Sequence, residues 1–123
     1  MTKKILVLDS REALLDVISR LQREQYEVIT CSFNAEAFKC IKDVQPHVVV
    51  IDLSRPDLPG LDLISIIKTD PTLSVTPLVV CTSPTPDVEQ TVQQLAKMRL
   101  YVVRAPCSAD DLIAKIKEAL GEA

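Results

Sequence analysis

Apolar residues recur along this chain in two alternating rhythms. Five short runs, at residues 5–8 (ILVL), 28–31 (VITC), 48–51 (VVVI), 78–81 (LVVC) and 101–103 (YVV), are apolar almost throughout and rich in β-branched side chains. Each reads as a strand. Between and after them apolar positions return every three or four residues: Leu14, Ile18, Leu21; then Ala37, Cys40 or Ile41, Val44; then Leu61, Ile64, Ile67; then Val88, Val92, Leu95; then Leu112, Ile116, Leu120. That spacing predicts five amphipathic helices. Ser108 and Asp111 form a capping-box-like pair opening the last helix, and Gly121 stands where a C-terminal cap belongs. Pro86 suits the first turn of the fourth helix, and Asp70-Pro71 ends the third.

Strict strand–helix alternation needs crossover helices, which make the sheet parallel and cover both its faces. The expected fold class is α/β: a (βα)₅ doubly wound arrangement around a five-stranded parallel sheet in the flavodoxin-like order 2-1-3-4-5. Residues 5–8, 48–51 and 78–81 are apolar enough for central strands, whereas 27–31 is mixed and reads as an edge. The 123 residues are the size of one domain, spanning 1–123.

Composition narrows the function. With no Trp, two Tyr and two Phe, few aromatics are left over for stacking on bases, and the core is aliphatic. The net charge is -3, and the basic residues are scattered, so no footprint for nucleic acid or an anionic membrane is visible. The opening MTKKILVLDS is basic and then apolar, but the apolar run stops at Asp9, too short for a signal peptide or a membrane span. A cytoplasmic location is expected. The four cysteines (Cys31, Cys40, Cys81, Cys107) form no CxxC pair, and His47 is the one histidine that could join them, so zinc is not expected and the thiols read as buried and reduced. His47 lies at a strand start, the wrong end for a ligand crevice, and reads as structural.

In open α/β sheets ligands bind beyond the C-terminal strand ends where the strand order reverses, between strands 1 and 3 in the order given above. Asp9 follows the first apolar run and Asp52 the third. Two carboxylates meeting there need a cation; Mg²⁺ suits them, and a carboxylate is also a competent nucleophile toward phosphorus. Thr82 follows the fourth run and could hydrogen-bond a phosphoryl oxygen; Arg104 follows the fifth. The constellation is one for phosphoryl binding.

At these residues the chain resembles a known family. KILVLDS, VVVIDLSRPDLPG, PLVVCTS and YVVRAP are similar, in order and spacing, to the signature segments of response-regulator receiver domains of two-component signalling, over nearly the whole chain. The resemblance implies that Asp52 is the phosphoacceptor, served by a histidine kinase or phosphotransfer protein, and that Mg²⁺ is held by Asp9, Asp52 and the backbone carbonyl of Ser54. It implies that Thr82 and Tyr101 form the switch and that helix 4, strand 5 and helix 5 carry output-partner or homodimer contacts; Arg104 serves as the cation at the phosphoryl group only if a bulge re-aims it, since a one-residue slip along a strand faces the other side. The chain departs from the family pattern after the acceptor strand, where Arg55-Pro56 and Pro59-Gly60 replace the usual Met-Pro and Asp-Gly, and at two further places. Ser10 stands where most members have a second acidic residue, which weakens Mg²⁺ binding. Ala105 stands where the family has Lys before a proline, with Arg104 one residue earlier; anchored on Pro106 the switch position is Val102, anchored on Arg104 it is Tyr101. An alternative follows from these departures: a pseudo-receiver, a protein–protein interaction module that works without phosphorylation. No P-loop or GxGxxG is present, and an enzyme is not expected.

Overall fold

The computed structural model describes residues 2–8, 12–31, 36–52, 67–82, 93, 99–104 and 107–122, with the side chains of residues 12, 13, 52 and 82 outside that description. Five strands, β1 (Lys4–Leu8), β2 (Glu27–Cys31), β3 (Val48–Asp52), β4 (Leu78–Thr82) and β5 (Leu100–Arg104), form one sheet in the order β2-β1-β3-β4-β5. Every neighbouring pair is parallel. Three helices lie between and after them, α1 (Glu12–Arg23), α2 (Ala37–Val44) and α3 (Ala109–Ala119), the last being the fifth helix predicted above. Residues 67–69 are helical, as the end of the third predicted helix requires. The remainder of that helix, Gly60 and Pro86 lie outside the described residues, as does the fourth predicted helix apart from residue 93.

Side chains alternate across a strand, and the alternation here divides the core in two. Ile5, Val7, Val48, Val50, Val79 and Cys81 face α1 and α3, meeting Leu14, Val17 and Leu21 from the one and Leu112, Ile113 and Ile116 from the other. Leu6, Leu8, Val49, Ile51, Leu78 and Val80 face the opposite way, onto Ala37 and Ile41 of α2 and onto Ile67 and Leu73. With helices on both sides, residues 5–8, 48–51 and 78–81 are all buried, which is why those runs are continuously apolar. Each such aliphatic side chain contributes about 1.5–3 kcal/mol by leaving water. The edge strand β2 shows the mixed burial that its sequence announced.

The helix ends obey local chemistry. The Ser108 hydroxyl accepts the Asp111 backbone N–H at 3.0 Å and caps α3. At the other end Gly121 takes φ 77°, its N–H donates to the Glu118 carbonyl, and Glu122 N–H donates to the Lys117 carbonyl. These two bonds make a Schellman closure, and the left-handed residue is the glycine. Arg20 pairs with Asp110 and Lys117 with Glu24, both at 2.7 Å, across the α1–α3 contact. His47 is structural: its Nδ1 accepts the Lys4 backbone N–H at 2.9 Å, and the His47 backbone N–H donates to the Lys4 carbonyl.

One buried charge breaks the apolar pattern. Lys68 is 1% exposed, and its Nζ donates to the carbonyls of Thr76 at 2.5 Å and Ser74 at 3.3 Å. These bonds tie the end of the third predicted helix to the turn that leads into β4. Burial, with the Arg99 charge adding to it, lowers the Lys68 pKa from 10.5 to about 8. A depressed ammonium binds its proton less well folded than unfolded, so its penalty is complete below pH 8 and is relieved as pH rises toward 10.5. The stability of the wild-type protein relative to Lys68→Met should therefore rise by about 2–3 kcal/mol across that interval, read by urea denaturation of both proteins at matched pH. A pH-independent difference would show that Lys68 is not held in this way.

Candidate functional site

The sheet delivers the first polar residues of its inner strands to one edge. Leu8, the last residue of β1, pairs with Ile51, and the next residue of β3 is Asp52. Asp52 pairs with Cys81, and one step further Thr82 pairs with Arg104. Neighbouring strands lie about 4.8 Å apart, so Asp52, Thr82 and Arg104 occupy three successive strands within roughly 10 Å. The ladder runs one residue further than the apolar runs: Asp52, Thr82 and Arg104 are terminal strand residues held by pairing, where the sequence pattern places them just beyond the strands. Of the proposed metal ligands, Asp9 and Ser54 lie outside the described residues, as do Ser10, Ala105 and Pro106, and the side chains of Asp52 and Thr82 are not described. Among the described residues no three His, Cys, Asp or Glu side chains converge on a common point.

The fifth strand end is decided by register. From Leu78–Leu100 to Thr82–Arg104 the β4–β5 ladder advances one residue at a time, with no bulge. Tyr101 pairs with Val79 and is half-buried against the α1–α3 side, where Val103 is buried; Leu100 packs on the opposite side. Strand alternation then places Arg104 on the side of Leu100 and Val102, and it is exposed. Since the ladder is regular, nothing within β5 re-aims Arg104 to the other side.

The cysteines overturn their sequence reading. Cys31, at the end of β2, is bonded to Cys40 of α2, and Cys81 of β4 is bonded to Cys107, two residues before α3 begins. They are not the reduced thiols expected from their apolar neighbours. Both bonds sit toward the same edge of the sheet as Asp52, one on each side of the β1–β3 pair. The signal in the sequence was no more than an even number of cysteines, because each bond joins segments that only the crossovers bring together.

At the opposite edge a cavity of about 410 Å³ is lined by Thr2, Lys3, Glu24, Gln25, Tyr26 and Glu122. Its groups are engaged with one another: the Tyr26 hydroxyl donates to the Glu122 carboxylate, Lys3 pairs with Glu122 at 3.4 Å, and Lys3 donates to the Leu120 carbonyl. Burial and then the Glu122 hydrogen bond push the Tyr26 phenol up to about 12. This network fastens the chain after α3 to the starts of β1 and β2.

The sequence profile of the response regulator receiver domain matches residues 5–117. The chain belongs to that family. Its fold is that of the chemotaxis response regulator CheY4 of Vibrio cholerae, with a TM-score of 0.78 at 20% identity, covering 98% of this chain and 100% of that one. A CheY-like receiver domain protein from Methanospirillum hungatei is 27% identical with a TM-score of 0.76, covering 99% of this chain and 96% of that one. The DNA-binding response regulator MtrA of Mycolicibacterium smegmatis is 24% identical over 121 residues, which is 98% of this chain and 51% of MtrA. The receiver domain thus spans about half the length of the curated relatives it matches.

The register of β5 can be tested by stability. Arg104→Ala, at an exposed position, should change unfolding free energy by no more than about 0.5 kcal/mol, whereas Val103→Ala, in the α1–α3 cluster, should cost on the order of 2 kcal/mol. Urea melts giving the reverse ranking would mean that the strand is shifted by one residue.

Proposed function

We propose that this receiver domain accepts a phosphoryl group on Asp52 from a histidine kinase or phosphotransfer protein. The observation that carries the reading is the position of Asp52: it ends the central strand β3, between β1 and β4, at the reversal of strand order where open α/β sheets bind ligands. A carboxylate oxygen of Asp52 attacks phosphorus, the phosphorus–nitrogen bond of the donor's phosphohistidine breaks, and the released imidazole nitrogen takes up a proton. The chemistry a bound Mg²⁺ would supply is positive charge to offset that of the carboxylates and the phosphoryl group. Asp9, Asp52 and the Ser54 carbonyl would be the oxygen donors for it; Leu8, which precedes Asp9 in the chain, pairs with Ile51, which precedes Asp52. Ser10 contributes no carboxylate, which makes ion binding weaker than in members with two acidic residues there.

Thr82 serves the phosphoryl oxygens as hydroxyl donor. Arg104, the ladder partner of Thr82, stands one residue before the family's lysine position, and with no bulge in β5 to turn it to the other side of the sheet it does not serve as that cation. Tyr101, half-buried at the sheet edge, is the residue through which acyl phosphate formation shifts the population of the surface formed by the fourth predicted helix, β5 and α3. That surface carries output-partner or homodimer contacts. The domain acts in the cytoplasm as a signalling module rather than an enzyme; among the described residues no helix is long and apolar enough to cross a membrane.

Incubation with Mg²⁺ and acetyl phosphate, followed by intact mass measurement, should show one added phosphoryl group on the wild-type protein. Asp52→Asn and a metal-free sample should show none. Absence of the adduct at saturating donor and metal would displace this reading in favour of a receiver fold that binds partners without phosphorylation.

A further inference from the structure

We propose that Cys81 and Cys107 form a reversible redox modification site whose state controls phosphoryl acceptance next to it. The control half of the proposal rests on Asp52 being the acceptor; the redox half does not. Cys81 is the ladder partner of Asp52 and immediately precedes Thr82, and Cys107 follows Arg104 by three residues. Their Cα atoms are 6.2 Å apart, inside the range that a disulfide spans without backbone movement. The bond therefore ties the end of β4 to the chain leaving β5, across the segment that contains both Thr82 and Arg104.

Both oxidation states are accommodated. Cys81 is 5% exposed, and Cys107 is half-buried, so an exchanging reagent reaches Cys107 first. The Cys107 sulfur lies 3.5 Å from the Val103 carbonyl oxygen, which gives the reduced thiol a hydrogen-bond acceptor already in place. In a cytoplasmic protein a disulfide is more often transient and redox-sensing than structural.

The co-reactant is a low-molecular-weight disulfide of the glutathione class. The Cys107 thiolate attacks one of its sulfurs, the small disulfide breaks, and the first thiolate leaves. The Cys81 sulfur then attacks Cys107 in the mixed disulfide, forms the intramolecular bond and expels the second. The protein gives up two electrons and two protons, and the small disulfide becomes two thiols. Oxidation fixes the spacing of the β4 and β5 ends, and a receiver whose strand ends are tied cannot move freely to the phosphorylated arrangement.

The full chain should be equilibrated in glutathione buffers from reducing to oxidising, alkylated and peptide-mapped, with acetyl phosphate adduct formation and amide exchange across β4 and β5 measured on the same samples. Expected are a Cys81–Cys107 cross-linked peptide that disappears on reduction, slower exchange when oxidised, and an adduct rate about fivefold lower when oxidised, the low end of coupling between two sites. Cys107→Ser, and independently Cys81→Ala, should keep the reduced rate in every buffer, while Cys31→Ser with Cys40→Ser should keep the redox response. Full alkylation of both cysteines in oxidising buffer overturns the proposal, and equal adduct rates in the two states overturn the control half. No adduct in either state, with the cross-link and exchange change present, overturns Asp52 as acceptor together with the control half and leaves the redox site supported.

Discussion

The functional edge depends on the pairing of β3 with β1 on one side and β4 on the other. Those three strands are buried on both faces, so a polar side chain within them would lack water and partners. Polarity is thereby deferred to the strand ends. VVVI gives way to Asp52 and LVVC to Thr82, and the ladder that enforces burial also fixes where each polar residue emerges. Residues distant in the chain reach one edge of the sheet because their strands stop being apolar within one residue of the same level, Asp52 beside Cys81 and Thr82 one step beyond.

Burial is graded across the sheet, and the gradient bears on how a local event can be read elsewhere. β1, β3 and β4 are almost wholly inaccessible, whereas Leu100, Tyr101 and Val102 of β5 are half-buried. An outer strand with fewer buried contacts opens and repacks at lower cost than a central one. A signal arising at Asp52 would therefore meet its least resistance at β5, beside α3. The opposite edge is fastened by the Lys3, Tyr26 and Glu122 contacts and by the ion pairs between α1 and α3, which leaves the adaptable part of the domain on the side of the crevice.

The disulfides add a second kind of constraint, covalent rather than packed. One joins β2 to α2 and the other joins β4 to the approach of α3, so that each flanks the β1–β3 pair without crossing it.

The sequence by itself determined the strands and the ends of α3, because these follow from periodicities and caps that act over a few residues. Ile5, Val48 and Leu78 open runs too apolar to be anything but central, and Ser108 and Gly121 mark their helix ends through single hydrogen bonds and one backbone angle. Three matters needed the tertiary structure. Whether Arg104 continues the ladder was decided by its pairing with Thr82, since nothing in YVVRAP states which residue pairs with β4. Lys68 reads as a solvated helix lysine until the turn before β4 folds over it and offers the Thr76 and Ser74 carbonyls. The cysteines find partners 9 and 26 residues away because crossovers return the chain to the same edge of the sheet. Local pattern specifies what a segment becomes; which segments meet is set by burying all their apolar faces at once, and that is a property of the whole chain.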